Sequence, residues 1–390
     1  MSSDKATIIH VSNDEKFINA ANTSFDKAFP GQNRFFILVD DVTKPTKYVS
    51  LKKGVILKNN KIDSLKNFVN ELDSEKFIVF HGMNYHNGYI ANRLSRDIRI
   101  IWILFGVEFY GNPFLFKKTA FYGSQTKDLY KSKFGNNQFE KKIKTNLRNS
   151  YYRIFKETRA PFVEIKLAMH RANTIGILYK EEFDLITKKI NKKTKYFFKF
   201  TYYPIEKMVD DVEERVNGDA ILLGNSASYT NNHLEVLNKI NDINIGKIKI
   251  ICPLSYGDKE YALEIKKEGT KLFTHNFEAL IDFMPLKKYN EHIKSCGIVI
   301  MNHYRQQAVG NVMTMLWRGA KVFLNEKSTL YHYLKRLNVH VYSISNDLNS
   351  LNDLCLLSIE QQEHNRNMLK EELSEAKIVE QIQNYFKFLI

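Results

Sequence analysis

Residues 220–237, AILLGNSASYTNNHLEVL, contain the pattern that decides the fold class. An apolar run ends abruptly at Gly224-Asn225-Ser226, and a helical pattern begins a few residues later. A buried strand followed by a tight turn and a helix is the repeating unit of α/β proteins. Gly224 permits a sharp turn, while Asn225 and Ser226 can either cap the next helix or bind an anion at its N-terminus. The local pattern leaves both interpretations open.

The same alternation of strand and helix runs through both halves of the chain. Strands are predicted at ATIIHV, RFFILV, GVILK, KFIVFHG and IRIIWILFG in the first half, and at DAILLGNS, KIKIICPLSYG, TKLFTH, GIVIMNH and AKVFLN in the second. We expect the helix DKEYALEIKKEG to end at Gly269 and residues 358–390 to form one long amphipathic helix. The alternation indicates mostly parallel, doubly wound α/β sheets. Because 390 residues exceed one ordinary core, we expect two domains, 1–204 and 205–390, with the boundary at the Pro204 turn and a cleft between them.

The composition favours a reduced, cytoplasmic protein with a polyanionic partner. Lysine and arginine number 58 against 43 aspartates and glutamates, a net charge of +15. An excess of this size favours nucleic acid, an anionic membrane surface or a phosphorylated ligand. Basic residues concentrate between Lys131 and Arg159, where a solvated helix face is an equally good interpretation. The three cysteines are scattered, and we expect neither a signal peptide nor a membrane span.

A second strand end carries more polar chemistry than the first. The stretch NHYRQQAVGNVMTMLWRGAKVFLN, residues 302–325, follows the predicted strand GIVIM. Its candidate ligand-binding residues are Tyr304, Arg305, Gln306, Gln307, Gly310 and Asn311. Arg305 offers a planar fork of donors suited to a diphosphate, and the N–H groups at the start of the next helix favour an anion. The alternative interpretation is a surface arginine beside a capped helix. No GxxxxGKS/T or GxGxxG motif occurs, which argues against kinases, NTPases and dehydrogenases.

Two candidate general bases follow strands of the first half. His81 ends the strand KFIVFH, and Glu108 lies just beyond the strand IRIIWILF. A histidine or carboxylate at the carboxyl end of a strand can accept a proton from an acceptor hydroxyl, and a buried structural role is the alternative for each. The chain has no Asp-x-Asp motif and no HxxxH or CxxC pair, so we expect neither a metal ion nor a cofactor.

The motifs of the second half together resemble glycosyltransferase family 56, the family of dTDP-Fuc4NAc:lipid-linked saccharide transferases, where Fuc4NAc is 4-acetamido-4,6-dideoxygalactose. Gly224-Asn225-Ser226 resembles a family GNS after the first strand, YRQQAVG resembles RQQ-x-x-G, and GAKVFLN resembles a VLN-like strand end. The segment CPLSYGDKEYALEIKKEGTKLF, which contains Tyr256, is similar to a family segment with a proline, a tyrosine and an EAYI-like helix.

The resemblance continues more weakly through the first half and is poorest over residues 112–200. Ile9-His10-Val11 fits an IHV start, and His81-Gly82 fits an HG strand end. A W-x-x-W-G-x-D-x-Y pattern is matched by Trp102, Gly106, Glu108 and Tyr110, with Phe105 in place of the second tryptophan and Glu108 in place of the aspartate.

The resemblance implies a GT-B fold, in which two Rossmann-like domains face a cleft and the C-terminal domain binds most of the donor nucleotide. It implies a nucleotide-sugar donor, an undecaprenyl-diphosphate-linked saccharide acceptor, and a cytoplasmic position on the inner face of the bacterial inner membrane. The basic segment then acquires a membrane-facing role, because each basic residue near an anionic leaflet contributes ~1 kcal/mol. The candidates for that role are Lys141, Lys142, Lys144 and Arg148. Many GT-B enzymes bind the donor ribose through a carboxylate on the last nucleotide-site helix, where this chain has Thr314 and Met315.

These observations predict a metal-independent glycosyltransferase that uses dTDP-Fuc4NAc or a similar donor in bacterial surface polysaccharide synthesis. The alternatives are a GT-B transferase using a UDP-sugar or GDP-fucose in O-antigen or capsule synthesis, an inactive sugar-nucleotide binder, and a basic nucleic-acid-binding protein. We expect no nucleic-acid partner, because no recognised nucleic-acid motif occurs and the basic residues do not interleave with aromatic ones.

Overall fold

The computed structural model describes residues 8–135, 138–156, 158–191, 195–209 and 213–389. The chain forms two compact units. The N-terminal unit comprises Met1–Lys118, Gln138–Pro204 and Glu375–Ile390, and the C-terminal unit comprises Thr119–Asn137 and Ile205–Ser374. The predicted division at Pro204 differs from these units in two segments, 119–137 and 375–390. Residues 119–137 precede Pro204 but belong to the C-terminal unit. Residues 375–390 follow Pro204 but belong to the N-terminal unit.

The N-terminal unit is built on a seven-stranded parallel sheet, and its elements are numbered along the whole chain. Its strands are β1 (Ile8–Asn13), β2 (Asn33–Val39), β3 (Val55–Asn59), β4 (Phe77–His81), β5 (Arg99–Ile103), β6 (Thr174–Ile177) and β7 (Tyr196–Lys199). Its helices are α1 (Ile18–Ala28), α2 (Ile62–Leu72), α3 (Tyr85–Ala91), α4 (Val107–Tyr110), α6 (Gln138–Phe155), α7 (Pro161–Arg171), α8 (Lys180–Lys189) and α16 (Glu375–Phe386). The strand order β3-β2-β1-β4-β5-β6-β7 reverses between β1 and β4, where Ile9 lies opposite Ile78.

The C-terminal unit repeats this arrangement with a six-stranded parallel sheet. Its strands are β8 (Ile221–Leu223), β9 (Ile250–Pro253), β10 (Phe277–Leu280), β11 (Ile298–Met301), β12 (Lys321–Leu324) and β13 (Val341–Ser343). Its helices are α5 (Ser124–Phe134), α9 (Ile205–Met208), α10 (His233–Asp242), α11 (Lys259–Phe273), α12 (Leu286–Lys294), α13 (Val309–Trp317), α14 (Thr329–Arg336) and α15 (Ile359–Leu373). The order β10-β9-β8-β11-β12-β13 reverses between β8 and β11. Strands β8, β9, β11 and β12 are apolar almost throughout because helices cover both faces of the sheet.

The C-terminal tail forms two helices where one was predicted. Ser374 is extended between α15 and α16, with φ −61° and ψ 152°, so the helical hydrogen bonding stops there. Helix α16 buries Ile378, Ile382 and Phe386, which follow one another at every fourth position and therefore share one face. That face joins the N-terminal core beside Phe25, which explains why the last residues belong to the N-terminal unit.

The predicted end of α11 at Gly269 and the predicted strand TKLFTH are wrong. Helix α11 continues through Gly269 to Phe273, and the next strand is β10. A Cβ atom at Gly269 would lie 2.4 Å from the Phe277 ring, so glycine is needed here for close packing of the helix on β10. Within the described residues, no helix is both long and apolar enough to cross a membrane.

Candidate functional site

The two polar stretches of the second half leave neighbouring strands of the C-terminal sheet. Strands β8 and β11 pair in parallel, with Leu223 opposite Ile300. The strand order reverses between them, so residues 224–232 and 302–311 emerge side by side at the carboxyl edge. Ligands of doubly wound sheets bind at such a reversal. We call these two segments the switch-point site.

Gly224 makes the turn that opens the switch-point site. Its φ is +68°, in the left-handed region, and its N–H donates to the carbonyl of Ile300 at 3.0 Å. A Cβ atom at this position would lie 2.5 Å from Nε2 of His233 and 2.8 Å from Oδ1 of Asn231. Both the backbone conformation and the close neighbours therefore require glycine.

Asn231 joins the two segments of the site. Its Oδ1 accepts from the N–H of Asn225 at 3.0 Å and from Nε2 of His303 at 2.9 Å, while its Nδ2 donates to the carbonyl of Ser226 at 3.0 Å. Burial, together with the nearby Arg305 and His233, lowers the pKa of His303 to about 3, so the imidazole is neutral. The amide orientation makes Nε2 of His303 the donor, which leaves Nδ1 as the acceptor nitrogen.

Gln307 forms a second link between the segments. Its Nε2 donates to Oδ1 of Asn225 at 3.3 Å, and its Oε1 accepts from Oγ1 of Thr230 at 2.7 Å. Ser226 is buried, and its hydroxyl accepts from Asn231 at 3.2 Å. The structure therefore brings Gly224, Asn225, Ser226 and Gln307 together, and it ties the side chains of the last three into the scaffold of the site.

Arg305 supplies the positive charge of the site. It is half-buried, and its Nη1 donates to the carbonyl of Gln306 at 3.1 Å. The Arg305 carbonyl accepts from Oγ of Ser328 at 3.3 Å, which fixes the backbone beside it. The neighbouring Tyr304 ring lies 4.1 Å below the ammonium of Lys327, which adds a second cation.

Helix α13 begins at Val309, four residues after this arginine, without a side-chain cap. Ala308 precedes it in the left-handed conformation, with φ +56°, and contributes no side-chain hydrogen bond to the first turn. Gly310 is exposed, and a Cβ atom there would meet nothing within 4 Å. Asn311 follows on the same turn and is half-buried. The N-terminus of α13 thus adds its positive dipole end to the charge of Arg305.

Tyr256 lies on the loop after β9, beside the first segment of the site. Its carbonyl accepts from the N–H of Ala227 at 2.7 Å, and the N–H of Asp258 donates back to Ala227 at 2.9 Å. Gly257 makes this contact possible, since a Cβ atom on it would lie 2.5 Å from the Ala227 oxygen. The Tyr256 ring itself is exposed and offers an aromatic face to a ligand.

In the N-terminal unit, Glu108 is held by one of its two carboxylate oxygens. Oε1 accepts from Nε1 of Trp102 at 3.0 Å, from the N–H of Phe105 at 3.0 Å and from the N–H of Met83 at 3.3 Å. Within the described part of the chain, Oε2 is buried and has no hydrogen-bond partner. Burial raises the pKa of Glu108, and the three donors to Oε1 limit that rise. A carboxylate with a raised pKa and one uncommitted oxygen has the properties of a general base.

His81 has a different environment. It is fully buried, with one ring nitrogen 3.0 Å from His10 and the other 3.0 Å from the hydroxyl of Tyr202. Burial lowers the pKa of His81 to about 3. Such a weak base, with both ring nitrogens already bonded, suits the structural role that the sequence left open rather than proton transfer to a substrate.

The membrane-facing candidates lie on α6. The side chains of Lys141, Lys142 and Lys144 lie outside the described residues. Arg148 is exposed, with its guanidinium 5.5 Å from the ring centre of Phe162 and 5.8 Å from that of Tyr152.

Sequence reasoning missed Asn231, His233 and His303. His303 follows the strand GIVIMN directly, so the rule that selected His81 could have selected it. Asn231 and His233 lie in a polar run before α10, which reads as ordinary helix capping. Only the pairing of β8 with β11 shows that this run supports a site.

The family profile described as "4-alpha-L-fucosyltransferase glycosyl transferase group 56" matches residues 147–365, more than half of the chain. The chain belongs to glycosyltransferase family 56. The family resemblance drawn from the sequence is thereby confirmed, as is the prediction of a transferase enzyme. The match includes both segments of the switch-point site.

Solved structures of similar fold include several glycosyltransferases. HepE from Anabaena, in complex with UDP and glucose, is 10% identical, with 97% of this chain and 100% of that chain covered and a TM-score of 0.59. Sucrose-phosphate synthase from Thermosynechococcus elongatus is 8% identical, with 99% of each chain covered and a TM-score of 0.61. A glycosyltransferase from Rickettsia africae is 10% identical, with 99% of each chain covered and a TM-score of 0.60. The two parallel Rossmann-like sheets and this likeness confirm the GT-B fold class.

Proposed function

We propose that this family 56 enzyme transfers a deoxysugar from dTDP-Fuc4NAc, or a similar nucleotide-diphosphate donor, to an undecaprenyl-diphosphate-linked saccharide. The reaction serves bacterial surface polysaccharide synthesis on the inner face of the inner membrane, and it needs no metal ion. The observation that carries the proposal is the position of Arg305 shortly before the uncapped start of α13, at the strand reversal of the C-terminal sheet. The fucosyltransferase description of the family supports a 6-deoxysugar donor.

The proposed chemistry places the donor diphosphate at the switch-point site. The guanidinium of Arg305 and the first N–H groups of α13, near Gly310 and Asn311, neutralise the charge that develops on the diphosphate as the sugar–phosphate bond breaks. Tyr256 presents an exposed ring for stacking on the base or sugar. HepE was solved with UDP and glucose, which supports a nucleotide-diphosphate ligand for this fold.

The composition of α13 supports a deoxyribose nucleotide over a ribose one. The helix VGNVMTMLW carries no carboxylate. Oγ1 of Thr314 donates to the carbonyl of Met208 at 3.1 Å, and Met315 is buried, so neither side chain replaces a carboxylate partner for ribose hydroxyls. A dTDP donor lacks the 2′-hydroxyl that such a carboxylate would bind. UDP- and GDP-sugars remain the alternative donors.

Thermal stabilisation by nucleotides tests the donor site directly. The protein is melted with dTDP, UDP, GDP and their sugar derivatives, since a ligand at 100 times its dissociation constant adds ~2.7 kcal/mol to the unfolding free energy. We expect dTDP compounds to stabilise most, and stabilisation by UDP or GDP compounds alone would select the alternative donors.

Arg305→Ala tests the proposed diphosphate contact. We expect turnover to fall at least a hundredfold, because electrostatic stabilisation of this kind is worth ~3–4 kcal/mol. Arg336→Ala, at the exposed C-terminal end of α14, is the matched control and is expected to keep normal turnover. Near-normal turnover and nucleotide stabilisation in Arg305→Ala would exclude this contact.

A further inference from the structure

Helix α6 exposes a row of large apolar side chains. Leu147, Tyr151, Ile154 and Phe155 are 65%, 48%, 69% and 70% exposed. Their spacing of four, seven and eight residues from Leu147 places them on one face of a helix. The rings of Tyr151 and Phe155 are in contact, with centroids 5.3 Å apart, so the row is continuous. We call these four residues the α6 apolar face.

The α6 apolar face points away from the side by which the helix is attached. Between Leu147 and Phe155 only Asn149 and Tyr152 are half-buried, and the other residues are exposed. Tyr152 packs on the Tyr85 ring at 6.2 Å. At about 100° per residue, Asn149 lies roughly 200° around the helix from Leu147. The apolar face therefore faces solvent and adds nothing to the core of its own unit.

Basic residues lie beside this face, on the polar side of α6 and just after its end. In the helical projection Arg148 borders the face at about 100° from Leu147, while Arg153 lies at about 240°, on the polar side of the helix. Both are exposed, as are Lys156 and Arg159, which follow the end of α6. Residues 147–159 hold these four basic residues and one acid, Glu157. A solvent-exposed apolar stripe on a helix whose remaining surface and end carry basic residues is the pattern of a helix that lies in a membrane interface.

We propose that α6 inserts its apolar face into the surface of an anionic lipid bilayer, with Arg148 at the edge of the face contacting lipid phosphates and Arg153 and Lys156 adding attraction to the anionic surface. This inference rests on the proposed function, since a lipid-linked acceptor is met at such a surface. It adds that attachment depends on apolar insertion as well as on charge. A second copy of the chain fits the face poorly, because a symmetric pairing of two α6 helices would bring like charges together.

Vesicle co-sedimentation of the full chain separates the contribution of apolar insertion from the contribution of charge. Vesicles of phosphatidylglycerol and phosphatidylcholine are used at low and high salt, since salt screens charge but not apolar contact. We expect part of the vesicle binding to survive high salt. The double variant Ile154→Ser with Phe155→Ser should lower this salt-resistant binding at least tenfold. Arg148→Glu with Arg153→Glu should remove mainly the low-salt part. Leu51→Ser with Tyr196→Ser, at exposed positions of the same unit, is the matched control and should bind as wild type.

A fluorescence measurement reports insertion itself. The chain has two tryptophans, Trp102 and Trp317, and both are buried, so Phe155→Trp adds the single surface reporter. We expect a blue shift on vesicle binding and quenching by brominated lipid. Absence of the shift, or of salt-resistant binding, overturns the proposal.

Two further outcomes are distinguished by the same variants. Loss of a concentration-dependent dimer in Ile154→Ser with Phe155→Ser, without vesicle binding by the wild type, would assign the face to a second copy and overturn the proposal. Nucleotide stabilisation of the double variant reports the proposed function separately. Normal nucleotide stabilisation of the double variant, together with loss of its vesicle binding, supports the insertion proposal. If the wild-type protein shows no nucleotide stabilisation, the donor proposal fails, and the insertion proposal is judged separately by vesicle binding.

Discussion

At the scale of single residues, Glu108 shows how a fold can hold a buried carboxylate by one of its two oxygens. Three N–H donors converge on Oε1, from Trp102 and from the backbone of Met83 and Phe105. They fix the position of the carboxyl group without using Oε2. Burial raises its pKa, which makes the carboxylate a stronger proton acceptor. We propose Glu108 as the base that deprotonates the acceptor hydroxyl in an inverting transfer.

Glu108→Gln tests this role because glutamine keeps an oxygen for the three donors and loses only basicity. With saturating donor and acceptor, we expect kcat to fall ~100-fold or more and KM to change little, as general-base catalysis typically contributes a factor of about 10²–10⁴. Glu182→Gln is the matched control, since Glu182 is also buried and bonds the hydroxyl of Tyr110. A rise in acceptor KM with unchanged kcat would reduce Glu108 to a binding residue.

At the scale of elements, the connection from β8 to α10 positions the switch-point site. Its first residue, Gly224, is left-handed and lies against His233 at the start of α10, so the turn packs directly on the helix. Gly246, which precedes β9, has a nearly equal φ of +65°, but a Cβ atom added there would meet no atom within 4 Å. The two glycines share a backbone conformation and differ in their neighbours.

Comparing Gly224→Ala with Gly246→Ala isolates the effect of those neighbours. Backbone strain alone should cost each variant ~1–2 kcal/mol of unfolding free energy. We expect a larger loss for Gly224→Ala, and weaker nucleotide stabilisation in that variant only, because its methyl group displaces His233 or Asn231. Urea denaturation and nucleotide melting curves measure both effects. Equal losses and equal nucleotide binding would show that the Gly224 contacts do not shape the site.

At the scale of the whole molecule, four buried histidines link stability to pH. They are His10 and His81 in the N-terminal unit and His233 and His303 in the C-terminal unit. Burial lowers the pKa of His81, His233 and His303 to about 3, and that of His10 well below its usual value. All four are therefore neutral in the folded protein at neutral pH, whereas the unfolded chain takes up their protons near pH ~6.5.

We expect the unfolding free energy to fall as the pH drops below about 6.5 and to be insensitive to these groups above it. In the window from about 6.5 down to about 3 the unfolded state binds more protons, so each of His81, His233 and His303 contributes a slope of ~1.4 kcal/mol per pH unit. His10 adds a slope of the same sign, because its pKa is also lowered. Urea denaturation at several pH values, followed by the fluorescence of Trp102 and Trp317, measures the slope in both units. His81→Gln should reduce the N-terminal slope by about one histidine, while His275→Gln, at an exposed position, is the control. An unchanged slope in His81→Gln would show that His81 is protonated in the folded state.

The sequence by itself determined the fold class and the location of the polar strand ends. A strand buried on both faces must be apolar throughout, and a turn that leaves it must use small or polar residues, so these patterns are local and can be read directly. Gly224 and Arg305 were selected in this way, and so was Glu108. Their catalytic or binding roles remain predictions.

Only the tertiary structure decided which strand ends are neighbours and which polar groups are enclosed. The pairing of β8 with β11 joins residues far apart in the chain, and it turns Asn231 and His303 into supports of one site. The enclosure of His81, the passage of α11 through Gly269 and the docking of α16 on the N-terminal core also depend on distant partners: Tyr202, Phe277 and Phe25. Local propensity contains no information about such partners, because burial of a residue is a property of everything packed around it.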